Sequence, residues 1–78
     1  MTDYKPVDCS LYSDYELAIM HRQPLRLSWR DTQGMIHIAV YRPLDMYTRQ
    51  GEEFMVVMDT DRKESHIRLD YILSYNPA

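Results

Sequence analysis

The chain holds a single cysteine, Cys9, and only two glycines, Gly34 and Gly51, among its 78 residues. One cysteine excludes an internal disulfide framework and fits a reducing, cytoplasmic setting. Two separated glycines leave no phosphate-cradling loop, and no glycine-rich elbow accompanies any serine. No apolar run approaches the roughly 20 residues that span a bilayer. The opening MTDYKPVDC lacks the basic start and apolar core of a secretory signal. His21, His37 and His66 fall on separate segments without zinc-ligand spacing. Asp59, Asp61 and Glu64 are interleaved with Arg62 and Lys63 and have no loop glycine, so they read as a solvated turn rather than a calcium loop. These absences predict a protein that is not an enzyme and carries no metal or cofactor.

What the chain does have is aromatic weight: seven tyrosines and one tryptophan, enough to fill a modest core in one small domain spanning residues 1–78. It also has an uneven charge. The formal net charge is −3, and residues 1–20 carry Asp3, Asp8, Asp14 and Glu16 against Lys5 alone. Acids and bases balance over the remainder, so the excess sits in the N-terminal quarter. Such asymmetry favours a basic partner over a polyanion.

In chain order, residues 1–12 have no period and read as an arm anchored by Tyr4, Val7 and a buried Cys9. Ser13-Asp14-Tyr15-Glu16 matches the capping box and predicts a helix over residues 13–22, stopped by Pro24 and docked through Leu17 and Met20. Residues 25–75 read as five short strands. Leu25, Leu27 and Trp29 alternate inward on the first. The second is expected to turn Ile36, Ile38 and Val40 inward, and Leu44 to Gly51 to form a polar connection. Phe54, Val56 and Met58 alternate with Met55 and Val57, the polar run Asp59–Lys63 turns the chain, and Ile67 and Leu69 lead into a bent return strand. The expected fold is mainly β with one short N-terminal helix, the strands forming a small five-stranded antiparallel barrel.

The order Tyr4-x-Pro6-x-x-Cys9-x-x-Tyr12, then Glu16-Leu17-Ala18-x-x-His21, resembles the N-terminal signature of the Rho-binding antiterminator family (Rof, also called YaeO). Leu25-x-Leu27, the Asp31…Gly34 turn, Asp45, Glu53-Phe54-Met55-Val56-Val57 and Ile67-Arg68-Leu69-Asp70-x-Ile72-x-Ser74 with Pro77 extend the resemblance over nearly the whole chain. The resemblance implies an Sm-like barrel and a small cytoplasmic bacterial protein, expected to be a monomer, that binds the transcription terminator Rho. The partner surface would be the N-terminal RNA-binding domain of Rho, with RNA loading blocked as a result. Carried over by position, the contact residues would be Tyr12, Ser13, Asp14 and Glu16, with Arg49 and Gln50 from the connection before the third strand. The alternative is a barrel that binds single-stranded RNA itself through Arg26, Arg30 and Arg68 with Tyr41 and Tyr75. A third reading is an oligomeric module pairing at sheet edges, against the expected monomer.

Overall fold

Asp8, rather than Ser13, opens the helix. The computed structural model describes residues 3–78; Met1 and Thr2, the first two residues of the predicted arm, lie outside the described residues. Helix α1 runs Cys9–Met20, and Asp8 at its N-cap accepts a hydrogen bond from the Ser10 amide at 3.4 Å. Aspartate is among the strongest N-caps, and the earlier start adds a turn that brings Leu11 and Tyr12 onto the body. The expected capping box is therefore not formed, and Ser13 lies exposed inside the helix. At the other end Arg22 takes a left-handed φ of 53°. The Gln23 amide donates to the Ala18 carbonyl at 2.8 Å and the Arg22 amide to Ile19 at 3.2 Å, a Schellman closure followed by Pro24.

The helix docks through Tyr15 and Ala18, both buried, flanked by half-buried Leu11, Tyr12 and Ile19. Leu17 and Met20, the face expected from the sequence, are 49% and 73% exposed. A start at Cys9 instead of Ser13 leaves the 3.6-residue period free to choose the Leu11/Tyr15/Ala18 row, which carries more aromatic area.

Five antiparallel strands follow: β1 Leu25–Arg30, β2 Ile36–Arg49, β3 Glu52–Met58, β4 Glu64–Arg68 and β5 Ile72–Pro77, with a 3₁₀ turn at Leu69–Tyr71 before the last. Their order across the sheet is β4-β3-β2-β1-β5. β2 is the hinge of the fold. Its first half pairs with β1, its second half with β3, and the register shifts between Pro43 and Asp45. A bulge at that point bends the strand and absorbs a proline that would interrupt a regular ladder. The predicted polar connection at residues 44–51 is thus mostly strand, closed by a two-residue turn at Gln50 (φ 52°) and Gly51 (φ 79°). Two successive positive φ angles match the twist of a tight hairpin and explain the glycine.

Among the described residues no ladder joins β4 to β5, so the sheet is strongly bent but open, and the closed barrel is not formed. The core comprises Tyr15 and Ala18 from the helix, Leu25, Leu27, Tyr41, Met55, Val57 and Ile67 from the strands, and Leu69 from the turn. Burying each side chain of Leu27's class contributes roughly 1.5–3 kcal/mol. On β2 the expected phase is inverted: Ile36 and Ile38 are 53% and 67% exposed, while Tyr41 is buried. The register sets Trp29 opposite His37, Leu27 opposite Ala39 and Leu25 opposite Tyr41. Aromatic stacking of Trp29 on His37 (4.6 Å) and the Trp29 indole N–H donated to the Tyr41 hydroxyl (3.1 Å) hold that phase.

Candidate functional site

Helix position i and i+4 bring Tyr12 and Glu16 onto one flank of α1. They line a shallow depression of about 180 Å³ together with Ile19, Met20, Asp45 and Met46. On its other side Tyr12 also borders a second depression with Val7, Cys9, Ser13 and Glu53. Burial first, and then the charges of Glu53, Glu16 and Asp45, hold the Tyr12 phenol above its ordinary pKa. Among the described residues, no basic side chain lines either depression. Of the four acids in the N-terminal quarter only Glu16 lines these depressions, and the sheet adds Asp45 and Glu53 to it. Neither of these two was among the predicted contacts. They stand tens of residues from Tyr12 in sequence, and only the bend in β2 and the docking of α1 unite them.

Asp14 sits elsewhere. Two residues from Glu16, it is rotated about 200° around the helix. It accepts a hydrogen bond from the Tyr75 hydroxyl at 2.6 Å, which raises the Tyr75 pKa. Tyr75 in turn packs edge-on against Tyr15 at 5.2 Å. Arg49 and Gln50 are exposed at the β2–β3 turn, and neither lines the two depressions around Tyr12. Of the six predicted contact residues, the fold gathers Tyr12, Ser13 and Glu16.

The predicted RNA platform is dispersed. Arg68 is 8% exposed rather than outward. Its Nε and Nη2 donate to the two carboxylate oxygens of Asp70 at 2.6 and 2.8 Å, and its Nη1 donates to Asp3 (2.9 Å) and Glu52 (3.3 Å). The guanidinium also lies 4.3 Å from the Tyr71 ring and 5.6 Å from that of Tyr4. The same cluster ties down the arm. Tyr4 donates to Glu53 at 2.8 Å, and the Lys5 amide donates to Asp70 at 3.1 Å. Tyr41 is buried. Cys9, expected to be buried in the arm, is exposed at the first turn of α1.

His37 contacts Asp31 at 2.7 Å, and His66 contacts Glu64 at 3.0 Å. Among the described residues no group of three or more His, Cys, Asp or Glu side chains is arranged to hold a metal ion. Likewise, no helix there is long and apolar enough to cross a membrane.

No protein-family model matches this chain, and no curated protein matches it. Among solved structures it is similar to proteasome accessory factor B/C (PafBC) of Arthrobacter aurescens, with a TM-score of 0.79 at 19% identity. The match covers 96% of this chain and 12% of that one, so the chain spans a small part of the longer protein. At that identity the likeness is one of fold: a small β-rich domain with an N-terminal helix.

Proposed function

We propose that this protein is a non-enzymatic inhibitor of the transcription terminator Rho. It docks on Rho's N-terminal RNA-binding domain, blocks RNA loading and so acts as a cytoplasmic antiterminator. In this reading the bent sheet corresponds to an Sm-like fold left open between β4 and β5. One observation carries the proposal: Tyr12 and Glu16 share an acid-lined surface with Asp45 and Glu53 that, among the described residues, no basic side chain lines. A surface built to receive phosphates presents cations, and an acidic counterpart gains in encounter rate and in register. Tyr12 supplies the amphipathic anchor such an interface needs. Ser13 lies beside it, while Asp14, Arg49 and Gln50 would contribute at the margin. Direct RNA binding has less support, because Arg68 is enclosed by carboxylates and Tyr41 is buried.

The test is binding of the full chain to the isolated Rho N-terminal domain with short single-stranded RNA as competitor. Glu16→Lys combined with Glu53→Lys is expected to weaken binding by at least about tenfold, equivalent to ~1.4 kcal/mol. The circular dichroism spectrum should stay native. Arg26→Glu with Arg30→Glu is expected to leave binding intact. Unchanged affinity in the acid-reversed protein, or RNA that fails to compete, would overturn the proposal.

A further inference from the structure

A cleft of about 320 Å³ lies just before the bend of β2, between the residue that leads into β1 and the turn from β3 to β4. Its volume falls at the lower end of the roughly 300–1,000 Å³ typical of small-molecule sites. Pro24, Val40 and Met58 form its apolar part, and each is half-buried, so each keeps apolar surface open to a ligand. Strand register explains the grouping. β1 sets Arg26 opposite Val40, and β3 sets Met58 opposite Arg42, so these four share the outer face of the sheet.

Arg42 and Arg62 bring two guanidinium groups to the same lining. Both residues are exposed, and among the described residues neither side chain makes an ion pair or a hydrogen bond. Arg62 stands at a left-handed φ of 63°, in a turn that its amide closes onto the Asp59 carbonyl at 3.1 Å. Neighbouring acceptors have other donors. The Asp59 Oδ1 takes the Asp61 and Lys63 amides at 2.8 and 2.9 Å, and the Pro24 carbonyl takes the Ala78 amide and the Gln23 side-chain amide, both at 2.9 Å. Glu64, opposite Met58 on β4, contacts His66 at 3.0 Å.

The charge of the lining selects the ligand. Arg42 and Arg62 against Asp59 leave a single positive charge, which a monoanion balances. A phosphate dianion would instead set surplus negative charge beside Asp59. Stacking of a base has no platform either, because Tyr41, the aromatic residue of the lining, is buried and accepts from the Trp29 indole at 3.1 Å. A planar carboxylate matches the guanidinium fork, and an aliphatic body attached to it would cover Pro24, Val40 and Met58.

We infer that this cleft binds an aliphatic group bearing one carboxylate, presented by a free branched-chain acid or by the apolar C-terminal residue of a peptide. The site shares no residue with the Tyr12 depressions, so its failure and that of the Rho reading are separable.

The full chain would be titrated with isocaproate, with N-acetyl-glycyl-leucine bearing a free C-terminal carboxylate, with the amide of that peptide, and with inorganic phosphate. Binding would be followed by amide NMR shifts and by calorimetry. A carboxylate ligand is expected to saturate, with shifts at Val40, Arg42, Met58 and Thr60, and the neutral peptide amide to bind at least about tenfold more weakly. Isocaproate against the peptide identifies which source binds better. Arg42→Gln is expected to weaken binding about fivefold. Arg62→Gly should weaken it similarly without loss of thermal stability, because glycine takes a positive φ more readily than arginine. The wild-type shift map stands even where a variant misfolds. Failure of both carboxylates to saturate, equal binding of the peptide amide, tighter binding of phosphate, or full affinity in both arginine variants would overturn the assignment.

Discussion

Arg68 shows how far one residue's role can depart from its place in a sequence pattern. Alternation on β4 points it outward beside His66, yet its charge is carried into the protein by carboxylates from three separate places. Asp70 is two residues away, Glu52 is on β3, and Asp3 is in the arm. The side chains of Arg68 and Asp70 are each only 9% exposed. Taking one member from such a pair strands the others, which typically costs about 3 kcal/mol or more. Arg68→Met is therefore expected to lower the urea-unfolding free energy by about 3 kcal/mol, with Arg68→Lys intermediate because it keeps charge but loses the fork. Asp3→Asn should leave the midpoint unchanged: Asp3 is 83% exposed, although Arg68 holds its carboxyl below the usual range. Equal losses from Arg68→Met and Asp3→Asn would show that the arm contact, not the buried fork, supplies the stability.

At the scale of elements, the helix tests which of two capping signals governs. Asp8→Ala is expected to cost about 1 kcal/mol, and Ser13→Ala close to nothing, by thermal or chemical denaturation. The reverse result would mean that the helix begins where S-x-x-E suggests. Much of the fold was legible at this scale. The alternation at Leu25 and Leu27 found β1 and its inward face. The asparatate-led turns at Asp31 and Asp59, whose carboxylates accept amides two and four residues on, were visible as polar interruptions. The phase of β2 was not legible. Ile36, Ile38 and Val40 carry the stronger apolar pattern, but the cross-strand partners Trp29 and Leu25 select His37 and Tyr41 instead. Nor was the run from Leu44 to Arg49 readable as strand, since a proline and a bulge hide its period. For the candidate site, Tyr12 and Glu16 were within reach because four residues make one helical turn. Asp45 and Glu53 were not, because a bend far along the chain delivers them.

The whole molecule is tight despite its open sheet. Its radius of gyration is 11.8 Å, against about 11.5 Å expected for a compact chain of this length. Compactness here brings phenols close to carboxylates and away from water. Tyr4, Tyr12 and Tyr15 are held above the ordinary tyrosine value of 10.0 chiefly by burial, and Tyr75 chiefly by its hydrogen bond to Asp14. The folded state thus disfavours ionising them, whereas the unfolded chain ionises them freely. Their contribution to stability is complete below about pH 10 and is lost as pH rises toward the higher folded values. Alkaline titration followed at once by tyrosinate absorbance and far-ultraviolet circular dichroism should therefore resolve two stages. The first leaves the spectrum native, and in the second the four raised phenols, Tyr4, Tyr12, Tyr15 and Tyr75, ionise together with unfolding. All seven tyrosines ionising in a single step near pH 10, with the fold retained, would mean that these phenols meet neither the burial nor the carboxylates on which the acidic surface around α1 depends.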